Sequence, residues 1–453
     1  MTGEPHDRPG LLTDLYELTM AAGYLAAGRA DDVATFELSV RRLPANRSFL
    51  LAAGLEQAVE YLLGLAFSGQ DIGYLRRLPV FEHIDPAFFE YLREMRFTGD
   101  LWAVPEGAAV FGEEPLLRVT APLAQAQIVE TCLMATLTYQ TMVATKAARL
   151  VESAPGRTIV EFGARRAHGP EAGVLAARAS YIGGCAGSSN VLAGKRWGIP
   201  VYGTAAHSWV MAFAQEEEAF RRFLDVFREK AILLVDTYDP LEGTRTAVRL
   251  GRPFHGVRLD SGDLLAQSRE VRRILLEAGH GDAIIMASGD LNEHKIAALL
   301  GKGAELDAFG VGTELVTSRD APSLNAIYKM VEMSREGRVS YPAKFSEGKI
   351  TYPGKKQVFR FPHAGEYEYD IVACEQEQFP EGQALLEPVL QAGRLAAPLP
   401  SLAEARERAA QDLGRLPAAV RRLREPRAYP VRRSAALEAL LEKARSQWEG
   451  CRL

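Results

Sequence analysis

The chain has 453 residues, enough for two or three domains. A hydrophobic content of 47% and a charged content of 25% are those of an ordinary globular protein. A net charge of -5 argues against a general nucleic-acid or membrane-surface binder, while leaving room for a local cationic pocket.

The N-terminus, MTGEPHDRPG, is polar and lacks the apolar core of a signal peptide. No apolar run approaches the roughly 20 residues that span a bilayer. Residues 33–40, VATFELSV, alternate as a half-buried strand does, and lead through the turn-like RRLPANR into FLLAAG and a helix, LEQAVEYLLGL. Residues 99–122 hold Pro and Gly between short β-like runs. From about Arg157 short apolar runs alternate with amphipathic ones: TIVEF (158–162), PVYGT (200–204), AILLVDT (231–237), HGVRLD (255–260), AIIMAS (283–288), LDAFGVG (306–312) and AIYKMVE (326–332). Strands alternating with helices imply βαβ units and a parallel sheet, and about seven units in under ~200 residues suit a closed barrel better than an open one. The basic stretch SREGRVSYPAKFSEGKITYPGKKQVFRF reads as hairpins, and the last sixty residues as Arg- and Leu-rich helices with one solvated face. The expected fold is an irregular parallel α/β barrel over residues 131–344, beside an α/β sandwich over 1–130 that 345–453 completes. The four cysteines, Cys132, Cys185, Cys374 and Cys451, have neither CxxC nor zinc-like spacing and read as reduced thiols of a cytoplasmic protein.

The carboxyl ends of parallel barrel strands share one face, where active sites gather. The expected strand ends carry Phe162 and Arg165; Thr204, His207 and Ser208; Asp236; Arg258, Asp260 and Asp263; Ser288, Gly289 and Asp290; and Gly310, Gly312 and Thr313. The two glycine turns, ASGDLNEHKI and GVGTEL, suit a phosphate on free amides, although a tight turn or helix cap explains each as simply. Arg165 suits a planar carboxylate or phosphate, or else a salt bridge at the barrel rim. Asp260 could face sugar hydroxyls or a developing cation, or cap the helix that follows. Asp236 or Asp263 could help to hold Mg²⁺. His207 is the sharpest candidate, since imidazole can be a base, a metal ligand or a nucleophile; no second His or Cys stands at ligand spacing, which argues against a metal site, and a backbone-bonded structural histidine is the lesser alternative. His168 reads as structural or exposed.

The segments TDLYELTM (13–20), EFGARR (161–166), GTAAHS (203–208), VDTYD (235–239), GVRLDSGDL (256–264), ASGDLNEHKI (287–296), FGVGTEL (309–315) and PGKKQVFR (353–360), in this order, resemble the nicotinate phosphoribosyltransferase family. The resemblance implies a type II phosphoribosyltransferase-like fold and a homodimer with shared active sites. It implies transfer from 5-phosphoribosyl 1-pyrophosphate to nicotinate, giving nicotinate mononucleotide and pyrophosphate for NAD synthesis, with ATP as co-substrate and Mg²⁺ as cofactor. It implies that His207 is phosphorylated by ATP and that Asp260 sits near the ribose. Tyr16, reaching in from the partner subunit, and Phe162 would stack on the pyridine ring. Arg165, Thr204, Ser208 and Arg258 would bind nicotinate or the adjoining ribose phosphate. Ser288, Gly289, Asp290, Gly310, Gly312 and Thr313 would surround the 5-phosphate, and Arg42, Lys344 and Lys356 would meet pyrophosphate. The hairpin tip RRLPANRSFL lacks the glycine-rich turn that the family leads one to expect. GSSNVLAG (187–194) offers Ser and Asn where an aspartate would repel the nicotinate anion. Nicotinamide or quinolinate phosphoribosyltransferase and a non-catalytic ligand-binding relative are the alternatives.

Overall fold

A computed structural model describes residues 9–343, 345–346 and 349–450. The chain divides into two compact units. Unit 1 is drawn from residues up to Thr141, from 323–422 and from 426 onward; unit 2 is 142–322 with 423–425.

Unit 1 is built on a seven-stranded antiparallel sheet in the order Arg338–Ser340, Ala326–Arg335, Val33–Val40, Pro115–Pro122, Asp100–Ala103, Glu387–Gln391, Arg394–Leu395. The alternation of VATFELSV predicts one wet face, yet both faces of Val33–Val40 are largely buried. Its polar positions are therefore partnered: Thr35 meets the Thr120 hydroxyl at 3.0 Å, and Glu37 pairs with Lys356 at 2.9 Å. AIYKMVE, expected as a barrel strand, is the start of Ala326–Arg335 and pairs antiparallel with Val33–Val40. The expected domain limits shift accordingly, to Thr141 and Ser323. Its apolar pattern announced a strand correctly, but pairing is not a local property.

The hairpin reading of SREGRVS holds. Glu336 and Gly337 both take positive φ, 51° and 76°, as a two-residue turn of primed type demands. Ala364 and Gly365 close the longer hairpin of Lys356–His363 and Glu366–Cys374 in the same way. The last residues are more than solvated helices. Leu402–Arg415 begins with a capping box, Ser401 and Glu404, and buries Ala405, Ala409 and Asp412.

Arg360 is the electrostatic centre of this unit. Fully buried, it donates to Asp370 through Nη2 at 2.7 Å and Nε at 3.1 Å, to Asp412 at 3.3 Å and to the Ala109 carbonyl at 2.8 Å. Tyr429 and Tyr367 donate to the same two aspartates at 2.9 and 2.8 Å.

Unit 2 is the parallel barrel. Its ladder runs Gly187–Ser188, Thr158–Glu161, Ala308–Val311, Ile284–Ala287, Gly256–Leu259, Ile232–Leu234, every neighbour parallel. PVYGT, expected as a full strand, makes only a single parallel bridge, Val201 to Ser188. The strand beside it, Gly187–Ser188, comes from small residues without β preference and gives no signal in the sequence. Among the described residues no ladder joins Val201 to Ile232–Leu234, so the barrel is irregular. The helices begin where short acceptors stand: Asp239 caps Pro240–Arg249, Asp263 caps Leu264–Glu277 and Asn292 caps Glu293–Gly301. Val160, Met286 and Ala308 form an apolar cluster in the sheet, with Phe162 and Ile284 packed on it.

Arg360→Met strands two buried carboxylates and is expected to cost about 3–5 kcal/mol of unfolding free energy, read from urea denaturation. A loss within experimental error of zero contradicts the role given to Arg360.

Candidate active site

The strand ends of unit 2 assemble one hydrogen-bonded cluster. Asp236, just past Ile232–Leu234, accepts through Oδ2 from the Asp260 amide at 2.7 Å and from the Ser261 hydroxyl at 3.1 Å. Its Oδ1 is buried with no protein partner. Asp260 accepts from the Ser288 hydroxyl and lies 3.5 Å from an Arg258 guanidinium nitrogen. His207 opens the helix His207–Met211, places Nε2 3.6 Å from Asp260 Oδ2 and holds Nδ1 3.2 Å from the Thr237 hydroxyl. Arg258 also donates to the Thr204 hydroxyl and, at 3.0 Å, to the Ala205 carbonyl, while its Nε is buried without a protein partner.

Burial alone would raise the carboxyl pKa of Asp260. Ser288, Arg258 and His207 outweigh that effect and hold it below its ordinary value, so the group is a carboxylate. Burial lowers the pKa of Arg258, and nearby Arg165 lowers it further, against Asp260 and Asp236. Two guanidinium groups that repel one another in this way favour an anion near both.

The glycines separate into different tasks. Gly289 has φ of +93°, and a Cβ there would lie 2.0 Å from the Asp260 carbonyl oxygen, so the turn can sit on Asp260 only as glycine. Asp290 follows, also left-handed, at φ 44°. Gly310 was expected to let backbone approach a ligand; instead it makes room for Phe162, whose Cδ2 would lie 2.4 Å from an added Cβ. Gly312 precedes the short helix Thr313–Val316 and accepts from Leu315 N at 3.0 Å. The first amides of Glu293–Gly301 are not all free, because the Asn292 side chain takes those of His294 and Lys295.

Other expected residues stand apart from the cluster. Asp263 is the cap of Leu264–Glu277, bonded to the amides of Leu265 and Ala266 at 3.1 Å, and Asp260 is not a cap. Ser208 is exposed in His207–Met211, and His168 is exposed. Tyr16, Arg42 and Lys356 belong to unit 1. Arg42 and Lys356 line a cavity of about 310 Å³ there. The Lys356 ammonium is already engaged by Glu37 and by the carbonyls of Tyr352 and Gly354 at 2.7–2.9 Å, which leaves it no donor for pyrophosphate. Lys344 lies outside the described residues.

Three residues were missed. Thr237 stands one position past Asp236, and the strand-end rule that picked out Asp236 reaches it too. Glu161 is buried, and accepts from Ser188 at 2.5 Å and from the Gly163 amide. Burial raises its pKa against those two bonds. Ser188 in turn accepts from the Asn190 amide at 2.9 Å, and Asn190 caps Val191–Trp197. No sequence pattern marks Glu161 and Ser188 as partners.

Three family models match the chain: the nicotinate phosphoribosyltransferase N-terminal domain over 11–138, the nicotinate phosphoribosyltransferase family over 158–356 and the nicotinate phosphoribosyltransferase C-terminal domain over 380–441. A nicotinate phosphoribosyltransferase of Mycobacterium tuberculosis is 44% identical, covering 93% of this chain and 90% of its own. That of Bacillus subtilis is 40% identical over 83% and 78%. The crystal structure of human nicotinic acid phosphoribosyltransferase superposes with a TM-score of 0.83 at 34% identity, covering 96% of this chain and all of that one.

Tyr16 lies on Leu15–Ala26, about half exposed, beside the fully buried Glu17. Burial pushes the Glu17 carboxyl up to about 7, with Glu130 adding to it and bonds from Thr131 and Tyr16 opposing. The folded protein thus keeps a proton that the unfolded chain loses near 4.5. This contribution to stability is complete below that value and is lost as pH rises to about 7. The urea midpoint is expected to fall across this window by more in the native protein than in Glu17→Gln. Parallel pH curves contradict the assignment.

Proposed function

The chain belongs to the nicotinate phosphoribosyltransferase family, and on that premise we propose how its residues divide the transfer of phosphoribose from 5-phosphoribosyl 1-pyrophosphate to nicotinate. The anomeric carbon passes through an oxocarbenium-like state as pyrophosphate leaves and the pyridine nitrogen attacks. No protein nucleophile is needed there, so catalysis is placement and electrostatics. The observation that carries the reading is the ionised Asp260, held by Ser288, Arg258 and the Asp236-bound backbone, at strand ends that also carry His207. Such a carboxylate faces positive charge as it develops at the sugar. Arg258 and Arg165, two cations short of an anion, suit the nicotinate carboxylate, and Phe162, backed by Gly310, suits a face of the ring. Glu161 spends its oxygens on Ser188 and Gly163, so this carboxylate is held in place by neutral donors. The turns at 288–290 and 312–313 suit the 5-phosphate.

Mg²⁺ fits the free, buried Oδ1 of Asp236. Among the described residues no group of three His, Cys, Asp or Glu could hold it alone, so substrate oxygens would complete its shell. Bound there, it would neutralise charge on the leaving pyrophosphate. ATP coupling runs through His207, whose Nδ1 is held by Thr237 and whose second nitrogen faces Asp260. A positioned imidazole nitrogen can accept a phosphoryl group, releasing ADP, and later yield it to water. A second copy of the chain is the partner suited to the exposed apolar residues Leu11, Leu12, Leu15, Tyr16 and Met20. Among the described residues no helix is long and apolar enough to cross a membrane.

With radiolabelled pyridines, nicotinate is expected to turn over faster than nicotinamide or quinolinate, and His207→Ala to lose ATP stimulation while retaining slow, uncoupled synthesis. Faster turnover of nicotinamide overturns the specificity, and an ATP-stimulated, fully active His207→Ala overturns the phosphohistidine. Mixing Tyr16→Ala with His207→Ala protein, each impaired alone, is expected to restore part of the coupled activity, because one mixed site has both residues intact. No restoration after verified subunit exchange rejects a shared site.

A further inference from the structure

We infer that Lys146 is a positioning residue that locks the two 5-phosphate turns to one another, an inference that rests on the reading of 288–290 and 312–313 as the 5-phosphate site. Lys146 is fully buried on Glu130–Glu152, and its ammonium has three carboxylates around it. It donates to Glu293 at 2.6 Å and to Asp320 at 2.8 Å, and lies 3.5 Å from Glu314. Glu293 is the first residue of Glu293–Gly301, three positions after Asp290. Glu314 is the second residue of Thr313–Val316, directly after Thr313. One cation thus fastens the first turns of both helices that follow the two phosphate turns.

The second Glu293 oxygen is taken by Arg149 Nε at 3.1 Å, and Arg149 Nη2 donates to the Leu423 carbonyl at 3.1 Å. Burial would raise the Glu293 carboxyl pKa, but Lys146 holds it below its ordinary value, so the pair is ionic. A buried ionic cluster is a poor source of stability, since well-packed apolar residues of the same volume do as well or better. What it supplies, and a greasy contact does not, is direction. The ammonium fixes where each helix begins, and with it where each turn presents its amides. Misplacement of a binding group by about 1 Å costs up to about a hundredfold in rate. The turn at Gly289 also rests on the Asp260 carbonyl, so a shift at Glu293 is felt at both the phosphate and the ribose.

The test uses the full chain with Mg²⁺ and two probes: ribose 5-phosphate for the turns and pyrophosphate for the opposite end of the substrate. In Lys146→Met, the ribose 5-phosphate Kd and the KM for 5-phosphoribosyl 1-pyrophosphate are expected to rise about tenfold. The pyrophosphate Kd and the nicotinate KM should move by less than about twofold. Equal weakening of both probes, or unchanged ribose 5-phosphate binding, overturns the inference. Should Lys146→Met not fold, Glu314→Gln decides. It leaves Lys146 paired with Glu293 and Asp320, and is expected to weaken ribose 5-phosphate about threefold and pyrophosphate not at all; no change overturns the inference. Thr313→Val separates the two levels. If it weakens ribose 5-phosphate while Lys146→Met does not, the site reading stands and the lysine's role falls. If it leaves ribose 5-phosphate binding unchanged, the site reading itself fails.

Discussion

Asp260 ends the strand Gly256–Leu259 with its amide held by Asp236, its carboxylate bonded to Ser288, and two basic groups, Arg258 and His207, within 3.6 Å. A charge half withdrawn from water is tolerated only when partners replace the water. Arg258 comes from the same strand, but Asp236, Ser288 and His207 come from other parts of the barrel face, so this charge keeps its partners only while the parallel barrel holds those segments together. Gly289 shows how little slack there is: a single methyl group in that turn would meet the Asp260 carbonyl at 2.0 Å. The chemistry proposed for the sugar carbon depends on this one pairing.

The same rule, that buried charge must be answered, shapes unit 1. Arg360 and Lys356 both fall in the basic segment PGKKQVFR, in which the family resemblance implies that Lys356 meets pyrophosphate. Arg360 is consumed by Asp370, Asp412 and a carbonyl, and Lys356 by Glu37 and two carbonyls. Their charges hold sheet and helix together rather than waiting for a ligand. Arg42, on the rim of the unit 1 cavity, remains exposed. A basic motif is thus several roles superimposed, and burial separates them.

Much of the architecture was legible because its causes are local. Asp239, Asp263 and Asn292 start helices by bonding amides two or three residues on, although the sequence offered Asp260 as the cap and Asp263 to Mg²⁺, and Glu336–Gly337 turns a hairpin because both residues accept positive φ. The apolar runs ending in Asp236, Arg258 with Asp260, and Ser288 were found as strands in the places expected. The failures have equally physical causes. Gly187–Ser188 pairs as a strand through its backbone alone, with no side chain to advertise it. AIYKMVE was a strand assigned to the wrong sheet, since a strand does not name its neighbour. Gly310 was read as an approach for a ligand, when its missing side chain is filled by Phe162.

The sequence by itself determined the elements, the caps and turns, the residues waiting at the strand ends and the resemblance that names the family. Each of these depends on neighbours within a few positions, or on ordered motifs that survive without knowledge of their contacts. Only the tertiary structure decided which ionisable groups answer one another. Lys356 meets Glu37 across 319 positions, and Lys146 meets Glu293 across 147. Electrostatic pairing acts through space over a few ångströms, and no local pattern in a chain encodes which distant carboxylate will arrive within that range.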